Sequence, residues 1–436
     1  MGIGMWLLAA ALLLDGVALA AAPVKLVQAG RLVDVRSGKV LEDAGILIDG
    51  DRVSAVASFD TLARREPSAE SIDLRGYTVL PGFIDTHTHL TNFAFGWRPE
   101  LELVRSASKT ALESIPNARA TLQAGFTTVR DCGTYRAFVD VALRDAINAG
   151  TIEGPRMSVC GAYVTISGGG GEINATGPDI ALPEDLRYGV ADGPDAVRKR
   201  VRLIVRNGVD FVKVIASGAF LTIGSEPSAR EMSREEIRAA VEEARNAGLR
   251  VAAHAHAASS IVDAIEAGAA SIEHGSFIDD TGIRLLKDRH VYLSTDLYDW
   301  DFTIENADKL GWPAEYLEKT RRYYARAEAC LKKAFAAGAP VVYGTDAAVY
   351  PHGDNARQFA YMVRYGLTPL EAIRSATINA ADLLGWSDRV GTIEPGLFAD
   401  LVVVSGDPLV DVKTLEHPVM VIKGGRVVLD RRAVSH

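Results

Sequence analysis

Short apolar runs alternate along most of the chain with stretches whose apolar residues recur every three or four positions. From Val79 onward the order is strand, then helix, repeated. VLPGFID reads as the first strand. FTTVRDCG, RMSVCGAY, VDFVKVIASG, LRVAAHAH, AASIEHG, HVYLSTD and PVVYGTD bring the set to eight. Helical spacing falls between them over 106–123, 135–148, 194–207, 234–247, 259–267 and 315–336, and 369–384 reads as a closing helix. The pattern over 234–247 is the clearest, with Ser233 as N-cap and Gly248 at its end. Eight apolar strands alternating with helices predict an α/β fold of (βα)8, TIM-like barrel type. A doubly wound sheet is the competing architecture. The count of eight, and the placement of polar residues at strand ends, favour the barrel.

The two ends of the chain follow a different rhythm. KLVQAGRLVDV and GILIDGDRVSAVAS alternate apolar and polar positions, and Asp49-Gly50-Asp51 marks a tight turn. ADLVVVSG and VMVIKGGRVVLD repeat that style near the C-terminus, the second with a Gly-Gly turn. Both ends are therefore expected to pair in one small composite β-sandwich domain. The expected boundaries are a leader at 1–22, a first β part at 23–78, the barrel at 79–387 and a second β part at 388–436.

The leader, MGIGMWLLAAALLLDGVALAAAP, has an apolar core with small residues at Ala18 and Ala20. It reads as a cleaved secretory signal, implying a periplasmic or secreted protein with no stable membrane association afterwards. No Lys or Arg precedes the core and Asp15 interrupts it, so a retained anchor or a mis-assigned start are the alternatives. The 436 residues are 48% apolar and 24% charged, ordinary for a globular protein with a large core. A net charge of -9 without a basic run argues against nucleic-acid binding. Cys132, Cys160 and Cys330 make no disulfide framework and read as free thiols, although Cys132 and Cys160 could bridge in an exported chain.

The candidate chemistry sits at the ends of the strands. The first strand leads to His87 and His89, the fourth carries Lys213, the fifth His254 and His256, the sixth His274 and the eighth Asp346. Side chains at i and i+2 of a strand point to one face, so His87 and His89 can share one metal ion. Five of the nine histidines fall in this set, on the barrel face where active sites are built. Neutral imidazole and carboxylate suit zinc and similar ions. Lys213 stands between Val212 and Val214, and burial disfavours an ammonium. A neutral amine can add carbon dioxide, and the carbamate is a bridging carboxylate. Lys213 therefore either makes a salt bridge or, carboxylated, joins two metals.

PGFIDTHTH, the Lys213 strand, HAH, IEHG, GTDA and the closing GTIEPGLFADLVVV together resemble the amidohydrolase superfamily of metal-dependent hydrolases. The resemblance implies the barrel, the composite β domain and a binuclear centre of two divalent ions, with zinc as the default. By that resemblance His87, His89 and Asp346 hold one metal, His254 and His274 the other, and a carbamate on Lys213 bridges them. The implied reaction is attack by a hydroxide on the metals, with Asp346 as the catalytic proton acceptor and donor. His256 is left over as a substrate contact or a core residue. Tyr163 is a candidate for holding an oxyanion or a substrate carboxylate.

AGFTTVRDCG, GPRM, VDFVKV, HAHA and AGAASIEHG are most similar to the prolidase-like and imidazolonepropionase-like branch. That branch includes Xaa-Pro dipeptidases, carboxypeptidases acting on N-acyl amino acids, and ochratoxin-hydrolysing amidases. The implied substrate is a small peptide or N-acyl amino acid that releases its C-terminal residue, and homo-oligomers are common. Cyclic-amide hydrolysis or deamination on the same scaffold are the alternatives. Lys213 speaks against the deaminases, and the intact ligand set against a binding protein without activity. One departure stands out. Where relatives often carry a TGGHG-like loop, residues 167–171 read SGGGG, with no histidine near Gly170. A wider pocket or altered carboxylate recognition is expected there. Trp97, Tyr298, Trp300 and Phe302 are expected on loops over the metal face, as a substrate wall or a cap.

Overall fold

The computed structural model describes residues 23–92, 98–174, 176–177 and 179–432; the leader and Trp97 lie outside them. The first four strands are β1 (Lys25–Val33), β2 (Val40–Asp49), β3 (Arg52–Ser58) and β4 (Glu70–Pro81). The barrel strands are β5 (Phe83–Thr88), β6 (Phe126–Asp131), β7 (Arg156–Val159), β8 (Tyr163–Val164), β9 (Val212–Ile215), β10 (Val251–Ala255), β11 (Ser271–His274), β12 (Tyr292–Thr295) and β13 (Val341–Tyr343). The last three are β14 (Leu401–Val404), β15 (Met420–Lys423) and β16 (Arg426–Asp430).

The chain ends do share a sheet. Its order is β16-β15-β14-β4-β1-β2-β3, with β4 parallel to β1 and antiparallel to β14. In place of the expected sandwich there is one mixed seven-stranded sheet, with a large apolar cluster and a smaller one of Leu26, Leu47 and Leu62. Val27, Ile46, Leu74, Leu401 and Met420 meet in the large one. The β3 edge returns to the segment before β14, where the Val53 N–H donates to the Leu397 carbonyl at 2.9 Å.

The expected first strand is divided between the two sheets. Val79 to Pro81 end β4 of the mixed sheet, and the barrel begins only at Phe83. Gly82 makes the passage. A Cβ there would run into Thr127 and come within 2.9 Å of the Asp400 Cβ, so only glycine lets the chain pass.

The third barrel strand is also broken. Gly161 (φ +74) bends it, so that β7 pairs with β6 while β8 pairs with β9. The barrel strands thus form the runs β5-β6-β7 and β8 through β13. Closure comes beyond β13, where the Asp346 N–H donates to the His87 carbonyl (2.8 Å) and the His89 N–H to Ala347 (3.0 Å).

The expected helices are present, and Phe59–Arg65, Pro99–Val104, Asp280–Arg289 and Gln358–Arg364 are helices not expected from the sequence; there are three further differences. The second expected helix begins at Val139, because Phe138 stands in a left-handed conformation. The closing helix is two, Pro369–Ser375 and Ile378–Leu384; the break frees the Ala376 carbonyl for the Ile84 N–H of β5 (2.7 Å). Tyr298, Trp300 and Phe302 lie on a helix, Tyr298–Asn306, not a loop. Its buried positions, Tyr298, Trp300 and Thr303, form no regular stripe, so periodicity does not reveal it. The helix Arg234–Asn246 has its cap as expected, with Ser233 and Glu236 closing a reciprocal capping box. Cys132, Cys160 and Cys330 are free thiols, two of them buried. Among the described residues no helix is long and apolar enough to cross a membrane.

Candidate metal centre and active site

Strand register sets the heights of the site residues. Ala252 of β10 pairs with Lys213 of β9, while His254 lies beside Glu273 of β11 and Ala255 beside His274. Lys213 therefore sits about one layer deeper in the barrel than the histidines above it. His274 and Asp346 both have positive φ, 68° and 52°, a conformation that costs energy for residues with a Cβ and clusters at functional sites.

All seven residues of the expected constellation line one cavity, none more than 9% exposed. The cavity occupies about 780 Å³ with its mouth included, room for a small ligand. Tyr163, Tyr135, Phe220 and Trp300 share its lining. Ligand atoms lie within 4.8 Å of one another in four groups of described residues, two of them made of expected residues alone, His87, His89 and Asp346, and His254, His256 and His274; the others are His87, Cys132 and Glu273, and His274, Asp296 and Asp346. Asp346 Oδ1 stands 3.0 Å from His89 Nε2 and 3.6 Å from His87 Nε2. Lys213 Nζ lies 3.4 Å from His87 Nε2, between the two expected groups.

The second nitrogen of each ligand candidate is already engaged, which fixes its tautomer. His87 Nδ1 faces Glu273 Oε2 at 2.9 Å, His89 Nδ1 the Gly133 carbonyl at 2.7 Å, and His274 Nδ1 Asp296 Oδ1 at 2.8 Å. These acceptors hold a proton on Nδ1 and leave the Nε2 lone pair free. His254 is reversed: its Nε2 faces the Gly218 carbonyl at 3.1 Å, leaving Nδ1. Imidazoles oriented by carboxylates and carbonyls, with the other nitrogen free, are what a divalent cation requires. The residues present fit the metals that the resemblance implies.

Electrostatics agree with that fit. Burial holds His254 and His256 well below the usual imidazole range, and pulls His87 down to about 3 with Lys213 adding to the effect. Burial would lower His89 too, but its hydrogen bond and charge attraction to Asp346 prevail and raise it. Burial would raise Asp346; His89, His87 and His274 instead hold it well below the carboxylate range, so it stays ionised. Among the described residues no carboxylate lies within ion-pair distance of Lys213, so the salt-bridge alternative finds no acid there.

Three residues that orient this set were not singled out from sequence. Glu273 accepts from His87 and from Arg130 Nη2 (2.7 Å), and Arg130 is itself buried. Asp296 ends the β12 segment and holds His274. Asp85, within the FIDTHTH run, accepts from Thr345 Oγ1 (2.6 Å) and Asn355 (2.9 Å), and burial pushes its carboxyl up to about 7. The available signal was a charged residue inside an apolar strand, as in SIEHG and FIDTHTH.

His256 is brought beside the second group, with its Nδ1 2.8 Å from Ser276 Oγ. The Tyr163 ring lies 6.1 Å from that of His89. Gly170 and Gly171 line the cavity and lie close against their neighbours. A Cβ at Gly170 would come within 3.0 Å of the Ala219 Cβ, and one at Gly171 within 2.8 Å of Ile215. The segment after β9 fills the space that a side chain would take.

Comparison with known proteins agrees with this geometry. The family model for the amidohydrolase family matches residues 78–428. Ochratoxinase from Aspergillus niger is 30% identical over 433 aligned positions, covering 93% of this chain and 87% of that protein. The crystal structure of a Xaa-Pro dipeptidase with methionine bound in its active site superposes with a TM-score of 0.85 at 33% identity, over 93% of this chain and 99% of that one. A prolidase complexed with N-methylphosphonate-L-proline gives 0.84 at 30% identity, over 93% and 100%.

Proposed function

The chain belongs to the amidohydrolase family, and from that premise we propose that it hydrolyses the amide bond of small peptides or N-acyl amino acids and releases the C-terminal residue. The observation that carries this reading is the site itself: two groups of oriented imidazoles, with Asp346 in one and Lys213 between them, flooring a cavity with aromatic walls. The relatives' ligands, methionine and a proline phosphonate, are of the same size and class.

His87, His89 and Asp346 would hold one divalent ion, His254 and His274 a second, and Lys213, as its carbamate, would lie between. When bound, such ions polarise a carbonyl and make water acidic enough to ionise near neutral pH. Asp346, kept ionised by its histidines, accepts the proton of the attacking water and delivers it to the leaving nitrogen. Tyr163 remains a hydrogen-bond donor, because burial pushes its hydroxyl well above the usual range, and it is assigned to the carbonyl oxygen or the substrate carboxylate. His256, held neutral by burial and turned toward Ser276, is assigned to the substrate. Zinc is the proposed metal, a homo-oligomer the proposed assembly, and the periplasm or medium the proposed location.

The test is a panel offered to the metal-loaded protein: Xaa-Pro dipeptides, N-acyl amino acids with aromatic, basic and aliphatic C-terminal residues, aryl amides of phenylalanine, and imidazolonepropionate. Release of a free amino acid, followed by mass spectrometry, is the expected result. Turnover of the cyclic substrate alone would transfer the function to ring opening. Inactivity on the whole panel with two metals bound would remove the substrate class.

A further inference from the structure

The helix Ala314–Ala336 carries a buried lysine that no step above uses. Lys319 is 3% exposed. An ammonium has three protons to donate, and three backbone carbonyls face it: Ala219 at 3.2 Å, Thr222 at 2.7 Å and Ser225 at 3.0 Å. Glu315, one turn earlier on the helix, stands 3.1 Å from the same nitrogen and accepts the Gly224 N–H at 3.0 Å. Every one of those backbone groups belongs to the excursion 217–231 that follows β9. The base of the excursion is tied to itself and to the barrel. The Gly218 N–H donates to Ala229 and the Glu231 N–H to Ala216, each at 3.1 Å. Its tip is held by the Lys319–Glu315 pair, with the Arg322–Glu226 ion pair (3.4 Å) and the contact of Ser228 with the Tyr323 hydroxyl (3.3 Å) farther out on the exposed side.

This excursion forms a wall of the site and touches it at four places, the first where Ser217 Oγ accepts the His256 N–H at 2.8 Å. The Gly218 carbonyl receives the Nε2 proton of His254 at 3.1 Å. The Phe220 ring stands edge-on to His256 with centroids 4.8 Å apart. Thr222 Oγ1 donates to the Gly170 carbonyl at 2.7 Å, joining the wall to the glycine run. We infer that Lys319, paired with Glu315, is a positioning residue that clamps 217–231 against the cavity and so sets the affinity for substrate. The inference rests on the proposed hydrolytic function only for its kinetic readout. Three carbonyls gathered about one point suit a compact ammonium, whereas the donors of a guanidinium lie in a plane. Arginine is therefore a partial substitute.

The test is hydrogen–deuterium exchange of the metal-loaded, full-length protein, with wild type compared against Lys319→Met and Lys319→Arg. Exchange over 217–231 is expected to quicken about ten-fold or more in Lys319→Met while the barrel strands hold; Lys319→Arg falls between. On whichever substrate the wild type cleaves, KM should rise about ten-fold with kcat changed by less than about three-fold. Unchanged exchange over 217–231, or equal quickening across the barrel strands, overturns the clamp. A fall in kcat with KM constant overturns its role in affinity. A wild type that cleaves nothing defeats the proposed function, and the exchange result alone then decides the clamp. Should Lys319→Met not fold, Glu315→Gln is expected to give the same regional quickening, about three-fold, and its absence counts equally against the clamp.

Discussion

Each half of the candidate metal centre pairs a carboxylate-oriented imidazole (His87 with Glu273, His274 with Asp296) with a carbonyl-oriented one (His89 with Gly133, His254 with Gly218), and the halves differ in what stands behind those partners. On the first side, His87 is oriented by Glu273, a carboxylate on a barrel strand that is itself tied to the buried Arg130. Everything in that chain of contacts stands on strands. On the second side, His254 is oriented by one backbone carbonyl, Gly218, at the root of an excursion that a surface helix holds down. Catalytic geometry benefits from rigid support, whereas a substrate wall must admit and release its ligand. The brace behind His87 stands on barrel strands, and the half that meets Phe220 and His256 leans on the excursion 217–231.

The largest effect expected from breaking the first side is the loss of its acid. Asp346→Asn should lower kcat on the order of 10³-fold in protein reconstituted to the wild-type metal content. Undiminished turnover would remove Asp346 from proton transfer.

Next in size is the brace behind His87. Glu273→Gln should weaken binding of one metal equivalent by about 10–100-fold. It should also lower the melting temperature, because it leaves Arg130 buried without its partner. The double change Glu273→Gln with Arg130→Met is expected to recover melting temperature and not metal affinity. Recovery of both would mean that Glu273 acts only through packing. Asp296→Asn makes the matching test on His274, read by titration of the other equivalent.

The halves should also part company on acidification. Burial keeps His254 and His256 well below the imidazole range, so protons compete weakly for their free nitrogens. His89 is drawn down by burial but raised overall by Asp346. As pH falls it takes a proton first, and that proton excludes a metal. Lowering the pH from about 8 to about 5 in the metal-free protein should therefore protonate His89 before His254 and His256, as followed by their imidazole resonances. Protonation of His254 or His256 first would remove the difference.

The smallest expected effect sharpens the assignment of His256. His256→Asn should raise KM several-fold with two metals still bound. Loss of one equivalent instead would make it a third imidazole ligand beside His254 and His274.

The sequence by itself determined the eight-strand rhythm, the pairing of the chain ends and the seven residues of the constellation. Each rests on a local rule: alternation, strand–helix order, and polar side chains placed where apolar strands end. Tertiary structure alone decided what no local rule contains. It passed β4 into β5 at Gly82, where the side chains of Thr127 and Asp400 leave no room for a Cβ, and it turned Tyr298–Asn306 into a helix although its buried positions form no stripe. It also set the glycines at 170 and 171 close against Ala219 and Ile215 in the lining of the cavity. The braces of the site show the same division. Glu273 lies next to His274 in sequence yet orients His87, 186 positions earlier, and Lys319 reaches a loop about 100 positions before it. Such pairings depend on which strand neighbours which and how far a side chain reaches across the barrel, and those distances exist only once the chain has closed on itself.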